Sequence, residues 1–168
     1  YRLTQGNGKK MNIFVLDTDI IECARSHSDR HVVKMVLESA QMLCTVLHMN
    51  GLEAPYRPTH QNHPCTLWTG RSLSNWLWLR DLALALNDEY RYRYRRRGDH
   101  ASASVARSLQ PPRIEDGGLT EFAQAMPEEY RVPGDPVTAY RRFYSAEKAG
   151  FARWTRRPVP EWFRPGLT

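Results

Sequence analysis

The sequence predicts a mainly α-helical protein, a compact single-domain bundle around one buried central helix. The stretch from Ser28 to Asn50 contains neither Pro nor Gly and is long enough for about six helical turns. Its residues are apolar on nearly every face, which is typical of a helix that is buried all round. After Leu16, few segments show the apolar and polar alternation that indicates strands. These observations favour helices packed on helices.

The N-terminal part of the chain divides into a polar extension and the start of the domain. Residues 1–10 are polar and precede a Met, so we treat them as an extension and assign residues 11–168 to one domain. A β-prone run from Met11 to Leu16 predicts a short isolated strand or an extended segment. Asp17 to Asp19 can then cap a short helix that leads into the central one.

Further helices are predicted from capping residues, prolines and apolar spacing along the rest of the chain. They cover residues 65–70, 75–95, 100–109, 121–125 and about 136–154. The tail that follows is extended by its prolines, and Trp162 with Phe163 is expected to pack on the core.

Composition and charge favour a cytoplasmic globular protein with a polyanionic partner. The chain has 168 residues, 41% of them apolar, and five Trp, which argues against disorder. The net charge of +6 comes mostly from Arg, and this raises the expectation of nucleic acid. The three Cys are odd in number and unclustered, as expected of reduced core residues. We see no signal peptide and no apolar run of membrane length, and we expect no membrane partner.

One narrow polar stripe interrupts the apolar surface of the central helix. Positions 31, 34, 38 and 41 advance by three or four residues, so their side chains share one face. Lys34 and Glu38 are spaced to form an ion pair, and burying either charge is costly without its partner. The stripe predicts a site in a cleft. A purely structural ion pair is the alternative.

A second polar group precedes the next helix, in the loop from Thr59 to Pro64. Pro64 suits the first helical position, with Asn62 or His63 as its cap, and such a helix end favours anions. We expect His60 or His63 to lie beside Glu38. The two histidines also resemble a metal pair, but no Cys or carboxylate cluster is evident beside them, so we predict no metal and no cofactor.

The end of the 75–95 helix alternates Tyr and Arg from Tyr90 to Arg97. This pattern predicts phosphate contacts from the arginines and base stacking on the tyrosines. A solvated helix end, whose arginines interact favourably with the helix dipole, is the alternative. The arginines predicted to contact nucleic acid, two of them on the last helix, are Arg91, Arg95, Arg96, Arg97, Arg141 and Arg142.

Taken together, these motifs resemble a family of small bacteriophage proteins over nearly everything from Met11 to Phe163. More remotely, they are similar to pyrimidine-dimer DNA glycosylases of the endonuclease V type. The motifs are Asp29-x-His31-x-x-Lys34-Met35-x-x-Glu38-x-x-Gln41, Thr59-His60-x-Asn62-His63-Pro64, Asn75-x-x-Trp78-Leu79, Glu89-Tyr90-x-x-Arg93, Phe122 to Pro127 and Tyr140-Arg141-Arg142-Phe143-Tyr144.

The resemblance implies a DNA glycosylase-like enzyme, a hydrolase or lyase of DNA modification or repair, acting on double-stranded DNA in the host cytoplasm. In that class an N-terminal amine attacks the sugar and a helix-borne Glu assists cleavage, which implies Glu38 as acid or base. Asn12 follows Met11 here, so Lys34 is the candidate amine or electrostatic partner. His31 is the third candidate catalytic residue. The candidate substrate-binding residues are Asp29, Arg30, Gln41, His60, Asn62, His63, Trp68, Asn75 and Arg93.

Two other functions remain open from the sequence. A transferase that modifies phage nucleobases or nucleotides could use the same pocket. A DNA-binding accessory protein without catalysis would make the polar stripe structural.

Overall fold

Six α-helices form the regular structure of residues 11–166, the part of the chain that the computed structural model describes. They are α1 (Ile20–Ser26), α2 (Asp29–Met49), α3 (Pro64–Thr69), α4 (Leu73–Arg93), α5 (Ala101–Ser108) and α6 (Pro136–Glu147). A single 3₁₀ turn spans Glu128–Tyr130, and no strand occurs in residues 11–166. The predicted mainly helical fold is confirmed. The predicted extension at residues 1–10 lies outside the described residues.

Helices α2 and α4 form an antiparallel pair at the centre of the molecule. At one end, the Arg93 guanidinium of α4 lies 3.2 Å from the carboxylate of Asp29, the first residue of α2. Further along, the Trp76 indole donates to the carbonyl of Leu43 over 3.2 Å. Both helices have 21 residues, about 30 Å of length, so this pair spans the domain.

Helix α2 is long and apolar enough, by length and composition alone, to cross a membrane. The expectation that the sequence holds no apolar run of membrane length is therefore wrong on that count. Of its most apolar 18-residue window, 67% is buried inside the protein. Since the core helix of a globular protein passes the same composition test, this burial explains the apolar surface.

The segment from residue 11 to residue 16 is buried and extended, and it pairs with no strand among residues 11–166. The Asn12 side chain holds it in place. Its amide nitrogen donates to the Ala125 carbonyl over 2.9 Å, and its oxygen lies 3.0 Å from the Tyr140 hydroxyl. One amide thus fixes the extended segment against α6 and against the loop before the 3₁₀ turn.

The predicted helix over residues 121–125 does not form, and this segment is irregular. Phe122 stacks on Trp68 with ring centroids 4.9 Å apart, which fixes the chain on the core. The Tyr140 hydroxyl donates to the Ala123 carbonyl and accepts from the Ala125 N–H. Because a side chain of α6 satisfies these backbone groups, the segment does not need helical hydrogen bonds.

Helix α6 ends at Glu147, well before the predicted end near Trp154. The chain after it turns back over the start of α2. The Trp154 indole donates to the Ser26 carbonyl over 2.9 Å, and the Asp29 N–H donates to the Arg153 carbonyl over 2.7 Å. These contacts require the chain to leave the helix direction, so tertiary packing overrides local helix preference.

A buried ionic network joins this tail to α2 and α4. The Arg93 side chain has 0% exposure and donates to the Glu89 and Asp29 carboxylates and to the carbonyls of α1 residue Arg25 and of His27. From the tail, Arg157 reaches Glu89 at 2.7 Å. One guanidinium therefore connects three helices.

Candidate functional site

A cavity of about 820 Å³ opens beside the N-terminal half of α2; we call it the α2 cavity. Five separate segments meet around it: the extended segment 11–16, α2, the loop before α3, the irregular segment around residue 125, and the end of α6. The lining residues are Met11, Asn12, Phe14, His31, Lys34, Glu38, His60, His63, Pro64, Ala125, Met126, Pro127, Phe143, Glu147 and Lys148.

The polar stripe of α2 continues past Gln41 to Thr45 and His48, and its two ends have different roles. Its first three members, His31, Lys34 and Glu38, line the α2 cavity. Further along, Thr45 Oγ1 accepts from the Thr59 N–H over 3.1 Å and holds the loop that carries His60. His48 continues this anchoring through the Tyr56 carbonyl, 2.9 Å away. Gln41 lies between the two parts and is not among the lining residues of the cavity.

Glu38 and Lys34 form the ion pair that their spacing predicts. The Lys34 Nζ lies 3.7 Å from a Glu38 carboxylate oxygen, with side-chain exposures of 40% and 4%. The carboxylate is thus buried while the ammonium reaches the surface. Burial raises the pKa of the Cys65 thiol to about 11, and the Glu38 charge adds to this rise, which places Glu38 close to the start of α3.

His31 is fixed by aromatic neighbours and by one hydrogen-bonded chain. Its ring stacks on Phe14 with centroids 4.5 Å apart, and its Nδ1 lies 2.8 Å from the Tyr144 hydroxyl. That hydroxyl donates to Ser28 Oγ, so it accepts from His31 Nδ1–H, and Nε2 keeps its lone pair. Burial lowers the pKa of His31 to about 2, and the neighbouring His27 lowers it further. His31 is therefore a neutral hydrogen-bonding group rather than a proton carrier or a cationic phosphate contact.

Neutral burial of two histidines should make the fold sensitive to mild acid. Burial lowers the pKa of His27 to about 4 and that of His31 to about 2, both below the unfolded value of 6.5. As the pH falls, the unfolded chain is therefore protonated at these histidines before the folded protein is. The stability that comes from burying them in neutral form is fully present above pH 6.5 and is lost as the pH falls below it. At pH 5 each histidine should lower the free energy of unfolding by about 2 kcal/mol. Urea denaturation at pH 7 and pH 5 measures the difference.

A His27→Asn variant is the control for that acid sensitivity. Its amide can still donate to the Cys23 carbonyl, which His27 Nδ1 contacts at 2.7 Å, but it cannot take up a proton. We expect it to lose about half of the pH-dependent change. A variant with the full acid sensitivity would assign the effect to other groups.

His60 and His63 both line the α2 cavity together with Glu38. His63 caps α3, since its Nδ1 accepts from the Cys65 N–H over 3.1 Å. The Cys65 N–H is therefore bonded to His63, although the sequence predicts that N–H groups at this helix start bind an anion. His60 is exposed and adopts the left-handed conformation with φ of 49°, which is uncommon for a residue other than Gly. Asn62 is exposed and is not part of the cavity lining.

Several cavity residues are missing from the sequence-based site. Phe14 and Phe143 supply aromatic walls, and Lys148 brings a second ammonium, 5.0 Å from the centre of the Phe143 ring. Glu147 accepts from the Tyr130 hydroxyl at the rim. Two sequence motifs did give a signal: Phe122 to Pro127, whose last residues line the cavity, and Tyr140 to Tyr144, which contains Phe143.

Four predicted substrate-binding residues have positions in the scaffold. Trp68 is 1% exposed and donates to the Thr120 carbonyl, and Asn75 is 0% exposed with its amide bonded to Trp68 and Thr120. Arg93 and Asp29 bind each other in the ionic network. These side chains hold the helices in place, and their polar groups are occupied by the protein.

A second depression, of about 730 Å³, lies next to the α2 cavity, and Lys34 lines both. We call it the arginine depression because Arg30 and Arg153 line it, together with Asp29, Val33, Tyr94, Gly150 and Phe151. The Arg30 guanidinium lies 4.2 Å from the centre of the Phe151 ring, which orients it. Asp29 is held by Arg93 and Thr155, so the arginines dominate the charge there.

The Tyr-Arg run at the end of α4 is only partly available to a ligand. Tyr92 lies between the guanidinium groups of Arg156 and Arg157, 4.1 and 4.2 Å from its ring centre, and Tyr94 donates to the Asp29 carbonyl. Both residues stay partly exposed, at 37% and 40%, so base stacking by these tyrosines stays a prediction.

The predicted nucleic-acid arginines fall into two groups. Arg91 pairs with Asp99 at 3.6 Å, and Arg141 pairs with Asp17 at 3.2 Å. The other four of these six, Arg95, Arg96, Arg97 and Arg142, are exposed and make no ion pair within residues 11–166. The first three directly follow Tyr94, which lines the arginine depression.

Within residues 11–166, no group of three His, Cys, Asp or Glu side chains is placed to hold a metal ion. No family model matches this chain, and no curated protein or solved structure matches it either. The α2 cavity and the arginine depression are therefore the features that bear on function.

Proposed function

We propose that this protein is an enzyme that acts on a nucleobase of DNA or on its glycosidic bond. The base would occupy the α2 cavity, and the sugar-phosphate backbone would lie on the arginine depression. The observation that supports this best is the shared residue Lys34. The Lys34 ammonium pairs with the buried Glu38 carboxylate in the α2 cavity, and Lys34 also lines the cationic arginine depression.

The α2 cavity has the size and the walls that a base requires. Its volume of about 820 Å³ lies within the usual range for small-molecule sites. Phe14 and Phe143 contribute apolar aromatic wall to the cavity that Glu38 also lines. An enzyme that acts on a base in a duplex must extrude it into such a pocket, and aromatic side chains then stack on it.

Glu38 is the residue best placed for the chemical step. As an ionised carboxylate it can remove a proton from a water molecule whose oxygen attacks C1′ of the sugar. The C1′–N bond breaks, and its electron pair leaves with the base. Lys34, at 3.7 Å, balances the charge of Glu38 and can contact the phosphate beside the extruded nucleotide.

A panel of duplex oligonucleotides, each with one damaged or modified base, tests the proposal. We expect the protein to release or alter the base in at least one duplex, measured by mass spectrometry and by strand cleavage after alkali. Tight DNA binding without a chemical change in any duplex would instead identify a non-catalytic DNA-binding protein.

A nucleotide-modifying transferase is the second candidate, and one observation favours it. Both Lys34 and Lys148 line the α2 cavity, and two ammonium groups suit a phosphate within the pocket better than an uncharged base alone. Incubation with nucleoside monophosphates and a group donor would then give a nucleotide of increased mass, with no free base.

The arginine depression should control the salt dependence of DNA binding. In an Arg30→Gln/Arg153→Gln variant, two phosphate contacts are lost, and fewer counterions are released on binding. The slope of log K against log salt should fall by about 2 in magnitude. Fluorescence anisotropy with a labelled duplex between low and moderate salt measures this slope.

The matched control is Arg71→Gln/Arg113→Gln. Both arginines are exposed and flank the start of α4, roughly 30 Å from its other end, where Tyr94 meets the arginine depression. Equal slopes for the two double variants would show that the arginine depression does not contact the DNA backbone. Replacing Arg95, Arg96 and Arg97 by Gln then tests how far the backbone contact extends.

A further inference from the structure

We infer that His63 is a fixed hydrogen-bond donor in the α2 cavity, directed at a substrate atom that gains negative charge in the reaction. This inference builds on the proposed function. In the proposed reaction, that atom is a carbonyl oxygen of the departing base. The sequence alone assigns His63 to proton or phosphate contact, and the structure supports a different role.

The cap of α3 decides which nitrogen of His63 carries the hydrogen. Nδ1 lies 3.1 Å from the Cys65 nitrogen, which can only donate, so Nδ1 must be the acceptor. The single hydrogen of the neutral ring is therefore on Nε2, on the side of the ring away from this bond. Because His63 lines the α2 cavity, Nε2–H is the polar group that it can offer to a ligand.

The surroundings of His63 keep the ring neutral. Burial lowers its pKa, and the neighbouring His60 lowers it further. A second proton would also break the cap, because Nδ1 could no longer accept. Four charged residues face the same cavity, the cations Lys34 and Lys148 and the anions Glu38 and Glu147, so neither sign dominates. His63 therefore cannot act as the acid or base while it caps α3.

This assignment divides the chemistry between two neighbouring side chains. Glu38 takes the proton from the attacking water. The electron pair of the C1′–N bond moves into the base ring and onto its carbonyl oxygen, where the fixed N–H of His63 stabilises it. His31, held in the opposite tautomer by Tyr144, offers an acceptor instead. The cavity thus presents one donor and one acceptor.

Two substitutions separate the cap from the donor. His63→Asn keeps an oxygen that can cap α3 but removes the distal N–H, so the melting temperature should hold. The rate of base release should fall about 10²–10³-fold, the usual loss for one such donor. His63→Gln places an amide N–H near the position of Nε2 but caps poorly, so it should lower the melting temperature and retain more activity.

A structural role for His63 predicts a different pattern from a donor role. If the donor acts on the leaving base, the loss in His63→Asn should shrink for a fluorinated derivative of the released base, whose anion needs less stabilisation. An equal loss for both bases would overturn the role in the reaction.

Long-range ¹H–¹⁵N correlation spectra of the full-length protein test the tautomer without any substrate. We expect the Nε2–H form of His63 to persist from pH 8 to pH 5.5. A hydrogen on Nδ1, or titration near pH 6.5, would overturn the inference even if base release occurs. If no duplex loses a base, the proposed function fails. A shift of the His63 Nε2–H signal with millimolar uracil then supports the donor role, and an unchanged signal overturns it.

Discussion

Replacing Glu38 by Gln should reduce base release roughly 10²–10⁴-fold, the range expected when a general base is lost. The two side chains have nearly the same shape, so the packing of α2 should be retained. Lys34 loses its partner, but its side chain is 40% exposed and water can solvate the ammonium. Single-turnover base release and thermal melts on the same preparation measure both effects.

The control for Glu38 is Glu53→Gln, in an exposed loop outside the α2 cavity. It should change neither the rate nor the melting temperature. If Glu38→Gln instead melts far below the wild type while activity per folded molecule is preserved, the Lys34–Glu38 pair is structural. The assignment of Glu38 to the chemical step would then be wrong.

Replacing Arg93 by Met should destabilise the fold by about 3–5 kcal/mol, the usual result of breaking a buried ion pair from one side. The Met fills much of the volume but leaves the carbonyls of Arg25 and His27 without this donor and Asp29 without its ion-pair partner. Glu89 is less affected because Arg157 also binds it at 2.7 Å. Guanidinium chloride denaturation at pH 7 gives the free energy of unfolding.

Arg91→Met provides a matched comparison two residues away on α4. Its guanidinium is exposed and pairs with Asp99 at 3.6 Å, so its loss should cost less than about 1 kcal/mol. Equal effects of the two substitutions would show that Arg93 does not hold α2 to α4. The predicted contact of Arg93 with substrate would then be open again.

The sequence predicts the helical fold and one wall of the cavity because both depend on local spacing. An apolar stretch without Pro or Gly is sufficient to predict α2, and positions three and four apart are sufficient to place His31, Lys34 and Glu38 on one face. The loop with His60 and His63 is also recognisable, because Pro64 marks the start of a helix.

The rest of the site depends on contacts that local spacing does not encode. Phe14 and Lys148 enter the cavity through tertiary packing of the extended segment and the end of α6. The helix expected over residues 121–125 fails because Tyr140 satisfies its backbone groups. Polar motif residues such as Asn75 and Arg93 look like ligand contacts in sequence, and only their burial distinguishes a scaffold role.

Hydrogen bonds between residues far apart in the sequence hold the walls of the α2 cavity in place, and this affects how the chain folds during its synthesis. The Asn12–Ala125 and His31–Tyr144 hydrogen bonds each link residues 113 positions apart, and the Asp29–Thr155 bond spans 126. Such contacts form late, because closing a long loop must precede any gain from them. On the ribosome, the side of α2 that faces the cavity therefore stays uncovered until nearly the whole chain has emerged. Truncated products would expose it, which makes them substrates for chaperones and proteases.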